Sequence, residues 1–167
     1  MIVAELSRVV DAPVETVFNT VGKIGNWAKA NPEIDGVEYL TKHDEGLGVR
    51  FIEKRRLTGW AAVVGRWFGA TAVEHEVVEF VNDRRVRYVS DELGALWSST
   101  FIVTRVDGGT EGRTRLDIVV EAEAHSIVGR LVPFLTRRVA RTKLGMYLDS
   151  AKAHMEAACP DCGEVGS

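Results

Sequence analysis

Residues 127–157 read IVGRLVPFLTRRVARTKLGMYLDSAKAHMEA, a long stretch whose apolar residues recur at helical spacing. Val128, Leu131, Leu135, Val139, Thr142 and Met146 fall on one stripe, and Leu144, Leu148, Ala151 and Met155 on an adjoining one, so the apolar face is wide. Pro133 lies within the first two turns, where either a local kink or a true helix start is expected. What this helix covers is decided upstream. From Gly36 onward the period is close to two, and a single helix following a run of strands has to bury its apolar face on their sheet.

Six of those strands are expected at Val37–Lys42, Gly48–Leu57, Ala72–Val81, Arg85–Asp91, Ala95–Arg105 and Thr114–Glu123. The turns between them carry residues that tolerate tight or left-handed backbone: Asp44-Glu45-Gly46, Asn82-Asp83, Leu93-Gly94 and Asp107-Gly108-Gly109. Short connections make successive strands antiparallel neighbours, a meander. Thr58 to Thr71 breaks the rhythm. Three glycines there alternate with Trp60, Val63, Val64, Trp67 and Phe68, too apolar for a solvated loop, and the segment reads as a flap over an opening or as an extended hairpin.

Further upstream, Val3–Val10 is a short β-rich run that stops at Asp11-Ala12-Pro13. Asp11 is placed to cap a helix carrying Val14, Val17, Phe18 and Val21 at helical spacing, with Pro13 in its first turn. A second short helix covers Ile24–Ala30, with Trp27 turned inward, and ends at Asn31-Pro32.

At 167 residues the chain suits a single domain over 1–157, long enough to enclose a real interior, followed by a mobile tail over 158–167. With 46% apolar and 27% charged residues and a net charge of −3, the composition is that of an ordinary soluble protein and argues against a nucleic-acid partner. The basic groups at Lys54-Arg55-Arg56, Arg84 to Arg87 and Arg137 to Lys143 read first as solvated faces, with an anionic membrane surface or an acidic ligand group as the alternative. The N-terminus lacks the plan of a secretory signal, and no apolar run approaches the ~20 residues that span a bilayer, so a cytoplasmic protein without an integral membrane segment is expected. Cys159 and Cys162 form a lone Cys-Pro-Asp-Cys in the tail, half of a tetrahedral zinc site, and no metal or cofactor is called for.

The local words are similar to those of the START-like (SRPBCC) superfamily, in particular its polyketide cyclase/dehydratase branch. Asp11-Ala12-Pro13-Val14-Glu15-Thr16-Val17-Phe18 resembles the start of that family's first helix, and Asn26-Trp27 with Asn31-Pro32-Glu33-Ile34 its approach to the second strand. Gly46 to Phe51, Val77-Val78-Glu79-Phe80 with Arg84-Arg85-Val86, and Thr100-Phe101 followed by Gly109-Thr110 and Thr114-Arg115-Leu116 resemble later strands and turns. The resemblance implies an α+β helix-grip fold: a curved seven-stranded antiparallel sheet, two short helices and a long C-terminal helix over an internal cavity. For activity it implies less, because one such fold hosts carriers, binders, cyclases and partners of other proteins.

Alternation along each strand then nominates the lining. Phe51, Glu53 and Arg55 share one face of their strand, His75 falls on the like face of the next, and Tyr88, Trp97, Phe101, Leu116 and Ile118 on those that follow. Leu131, Leu135, Val139 and Met146 are expected to close the cavity from the helix, and Trp60, Trp67 and Phe68 to form its gate. Among the polar groups, His75 is the best candidate base, with Tyr88 or Arg55 as electrophilic partner, while Glu53 could orient a ligand and His125 could enter the same space. No nucleophile elbow, carboxylate pair or metal-ligand string accompanies them. The first expectation is therefore binding or transport of a small hydrophobic molecule, such as a lipid, polyketide or isoprenoid. The alternatives are a polyketide cyclase, aromatase or dehydratase, and an interaction protein presenting Trp60 to Phe68 to a protein partner or, transiently, a membrane.

Overall fold

The computed structural model describes residues 1–56, 71–106 and 112–159. Among these residues the elements follow in the order β1 (Ile2–Val10), α1 (Val14–Gly22), α2 (Ile24–Ala30), β2 (Ile34–Tyr39), β3 (Arg50–Arg55), β4 (Ala72–Val81), β5 (Arg85–Glu92), β6 (Ala95–Arg105), β7 (Thr114–Ala124) and α3 (Ile127–Ala157). The strands form one seven-stranded antiparallel sheet in the order β1-β7-β6-β5-β4-β3-β2. The first strand thus closes onto the last, while β2 to β7 run as a meander, with short turns joining β4 to β5 and β5 to β6. This is the helix-grip α+β architecture.

The turns obey their residue types. Leu93 and Gly94 both take positive φ, 55° and 76°, which is the two-residue geometry that matches the twist of paired strands and joins β5 to β6. That turn also seats α3. A Cβ on Gly129 would lie 1.8 Å from the Gly94 carbonyl oxygen, so the helix meets the turn backbone to backbone. Ser126 caps the helix there, its Oγ accepting from the Gly129 N–H at 3.0 Å and donating to the Gly94 carbonyl at 3.2 Å. Pro133 accordingly lies inside a helix that begins at Ile127.

From this anchor α3 rests mainly on β1, with lesser contact to β7 and α2. Among its described side chains, Leu144, Leu148, Ala151 and Met155 are the buried apolar ones, a spacing of three and four that keeps them on one face. Each large apolar side chain so removed from water contributes about 1.5–3 kcal/mol. The facing sheet supplies Val10, Phe51, Val86, Leu116 and Ile118, all at most 1% exposed.

Three readings of the sequence are corrected. Asp11 does not cap α1: the residue before the helix is Pro13, and the Asp11 carboxylate accepts from Arg113 Nε at 3.1 Å instead. Leu131, Val139 and Met146 do not close the interior, being 53%, 59% and 63% exposed on the outer side of α3. Third, strict alternation along β4 would put Glu79 on the face of Val73, His75 and Val77, but a register shift between Val77 and Glu79 turns Glu79 towards Arg85 and lets Phe80 meet Phe18 edge-on at 5.4 Å.

Candidate functional site

The sheet, α2 and α3 enclose a cavity of about 420 Å³, within the range that holds small molecules. Its apolar part is built on aromatic rings from β3, β5, β6 and α2. Tyr88 on β5 meets Phe51 on β3 and Phe101 on β6 edge-on, with centroids 5.9 and 6.0 Å apart, and Phe101 in turn meets Trp27 of α2 at 5.0 Å. Ile118 and Val120 on β7 and Leu144 on α3 complete the greasy wall.

One end is charged. Glu53 and Arg55 stand two residues apart on β3 and so project to the same side, and Glu92 reaches in from the last position of β5. Arg55 donates from Nε to Glu53 at 2.9 Å and from Nη1 and Nη2 to the two oxygens of Glu92 at 3.1 Å each, a bidentate fork. The carboxylate side chains are only 14% and 16% exposed, which is tolerable because each is paired. Burial works against the Arg55 charge, but Glu92 and Glu53 outweigh it and raise its pKa.

His75 completes this end from β4, directly opposite Phe51 in the ladder and stacked on its ring at 5.2 Å. Its Nε2 lies 3.9 Å from a Glu53 oxygen, beyond hydrogen-bond reach, and is buried with no hydrogen-bond partner among the described residues. Burial depresses the imidazole pKa, opposed only in part by Glu53, so the ring is neutral at pH 7.

A second polar group faces the cavity from the helix side. Lys143 and Tyr147, one turn apart on α3, converge on Glu33, which precedes β2: Lys143 Nζ is 3.1 Å from both carboxylate oxygens, and the Tyr147 hydroxyl donates to one of them. Glu33 is itself held by its backbone, its N–H donating to Asn31 Oδ1 at 3.1 Å and its carbonyl accepting from Arg56 at 2.7 Å. Burial, with the neighbouring Glu33, pushes the Tyr147 phenol pKa up. Around the polar end, three carboxylates therefore face two cations.

The family pattern described as polyketide cyclase / dehydrase and lipid transport matches residues 1–156. The chain belongs to this family. A comparison with curated proteins found no match. Among solved structures, this polyketide cyclase/dehydrase-family domain is similar to TTHA0849 from Thermus thermophilus, at 19% identity and a TM-score of 0.65 over 93% of this chain and 97% of that one. It is also similar to BexL, a di-domain ARO/CYC from the BE-7585A biosynthetic pathway, at 17% identity and a TM-score of 0.69, covering 95% of this chain and 47% of BexL. A truncated norcoclaurine synthase from Thalictrum flavum matches at 13% identity and a TM-score of 0.62 over 89% of each chain. Identities this low establish a shared fold and no more.

Within the family domain, the structure brings Phe51, Glu53, Arg55, His75, Tyr88, Trp97, Phe101 and Ile118 together around one cavity. Leu116 is buried at 1% exposure in the core beneath and does not line it. On α3 the lining comes from Val132, Ala140, Leu144 and the two polar residues, in place of the outward Leu131, Val139 and Met146. The Leu135 side chain and the expected gate of Trp60, Trp67 and Phe68 lie outside the described residues, as does Cys162. His125 is exposed and pairs with Asp91 at 2.9 Å, away from the cavity. Tyr88 lines the cavity, but its hydroxyl donates to the Val21 carbonyl at 2.6 Å, and burial raises its pKa.

Sequence reading passed over Glu92, Glu33, Lys143 and Tyr147. The first was within reach, because Glu92 continues the parity of Val86, Tyr88 and Ser90 once β5 is allowed one more residue. Lys143 and Tyr147 carry the i, i+4 signal of a shared helix face, though nothing local says that this face is the inner one.

Proposed function

We propose that this domain binds a small, mainly apolar molecule inside the cavity, with its one polar head at the Glu53-Arg55-His75 end. The observation that carries the reading is the His75 Nε2, buried at the charged end of an otherwise aromatic cavity with no hydrogen-bond partner among the described residues. A buried polar atom of this kind is rare in folded proteins, and a ligand group is the natural partner. The charge balance narrows the head. With three carboxylates against two cations, a carboxylate ligand would bring a fourth anion, whereas a hydroxyl, phenol or amine can donate to Glu53 or to the neutral imidazole.

Binding is favoured over turnover by what surrounds His75. The Tyr88 hydroxyl is committed to a backbone carbonyl and Arg55 is spanned by two carboxylates, so neither expected electrophile is free to hold a developing oxyanion. A cyclase or dehydratase role through His75 as base is the second reading, supported by the family and by the neutral, unpartnered imidazole. A cytoplasmic setting belongs to the same proposal; among the described residues no helix is long and apolar enough to cross a membrane.

The test is displacement of an apolar fluorescent dye by molecules sharing one hydrocarbon body and differing only in the head. The alcohol and the amine are expected to bind about tenfold or more tighter than the carboxylate, a difference of about 1.4 kcal/mol. A carboxylate that binds tightest, or a dye that never enters, would refute the reading.

A further inference from the structure

The outer face of α3 is apolar, cationic and uncovered. Ile127, Val128, Leu131, Val139 and Met146 are each between 53% and 78% exposed, although large apolar side chains in a long amphipathic helix ordinarily face the core. At 3.6 residues per turn, Val128, Leu131, Val139 and Met146 fall within an arc of about 80°. Arg130, Arg137, Arg138 and Arg141 occupy the adjoining arc of about 100°, all exposed, and none has a salt bridge or side-chain hydrogen bond among the described residues.

Charge is segregated along the chain as well as around the helix. The protein as a whole is acidic, with a net charge of −3, yet from Ile127 to Leu148 there is no Asp or Glu, and the first acid, Asp149, is held by Arg8 at 2.7 Å. Most other cations of the domain stand within ion-pair distance of a carboxylate, as Arg50, Arg56, Arg113 and Arg115 do. A face meant only for water has no use for five exposed aliphatic side chains. A purely electrostatic partner such as nucleic acid would not require them either.

We propose that this face docks on an anionic lipid surface, the aliphatic arc entering the headgroup boundary and the arginines pairing with lipid phosphates. The chemistry is that of an interfacial helix, in which apolar burial and attraction to anionic headgroups add. The position ties docking to the cavity, since the same turns present Val132, Ala140 and Leu144 to the interior. A lipid surface on one side of α3 and a bound apolar molecule on the other are then separated by one helix.

Co-sedimentation of the full chain with vesicles tests this, comparing phosphatidylcholine alone with phosphatidylcholine containing phosphatidylglycerol, at low and high salt. Binding is expected only to the anionic vesicles and is expected to weaken with salt. Each arginine near such a surface contributes about a fivefold factor, so Arg137→Gln/Arg138→Gln/Arg141→Gln should lower partitioning about 100-fold. Leu131→Ser/Val139→Ser should lower it at both salt concentrations, Thr142→Lys should raise it, and Leu96→Ser, an exposed apolar residue on β6, should leave it unchanged. Equal binding to neutral vesicles would overturn the proposal, as would binding indifferent to the arginines. Self-association abolished by Leu131→Ser without any vesicle binding would assign the face to a second copy of the chain, and retention on duplex DNA without vesicle binding would assign it to a polyanion; either result overturns it.

Discussion

His75 illustrates how one residue can be placed by pattern and explained only by its surroundings. Alternation put it on the same face as Phe51 through their strands' parity, and the register between β3 and β4 sets the two rings directly opposite. What the pattern does not carry is the burial of Nε2, because that depends on Glu53 and Arg55 of β3 and Glu92 of β5 arriving around it. The environment has a measurable consequence. Burial lowers the folded-state pKa of His75 below the ordinary value near 6.5, so the unfolded chain takes up the proton first and protonation favours unfolding. Stability from this group is complete above about pH 6.5 and is lost as the pH falls from there towards the lowered value. Urea unfolding across that window should show wild type losing stability on acidification more steeply than His75→Gln. Parallel curves would contradict the assigned environment.

At the scale of elements, α3 shows what periodicity can and cannot settle. Its limits, Ile127 to Ala157, agree with the sequence reading, because the apolar spacing is sustained and the strand signal stops before it. Its orientation was not legible. Two apolar stripes adjoin, and hydrophobicity gives the width of a face without saying which part meets the sheet; the close approach of Gly129 to Gly94 and the packing of Leu148 against the sheet decide it. The strands were more transparent, since one residue of slip would turn a whole row of side chains to solvent. The one place where parity failed is the bulge after Val77. The choice of face predicts opposite outcomes for two similar substitutions. Leu148→Ala, at 1% exposure, should cost about 2–5 kcal/mol in denaturant unfolding, whereas Leu131→Ala, at 53%, should stay within about 0.5 kcal/mol of wild type. Comparable losses at both positions would mean that the outer stripe is covered after all.

The whole molecule is a sheet whose last strand pairs with its first and which is gripped by a helix along β1, an arrangement that leaves room inside between the aromatic rows and α3. The order of β4, β5 and β6 follows from the short turns between them, whereas the pairing of β1 with β7 is made by the tertiary fold, and the family likeness along the chain agrees with the whole order. The cavity itself was not readable from residue types, because a filled core and a hollow one are written with the same apolar alphabet; only the curvature and the placement of α3 create the difference. The charged end was half readable. Glu53, Arg55 and His75 stood out as polar residues on apolar faces, while Glu33, Lys143 and Tyr147 come from segments brought together by the tertiary fold alone.

The central claim is that the cavity holds a ligand, and native mass spectrometry tests it most directly. The chain would be incubated with the alcohol of the displacement series, alongside Ala140→Trp, which places an indole where α3 lines the cavity. The account predicts a one-to-one non-covalent adduct on wild type that is absent from Ala140→Trp while both chains remain folded. A bare wild-type chain, or an adduct of equal abundance on Ala140→Trp, would contradict it.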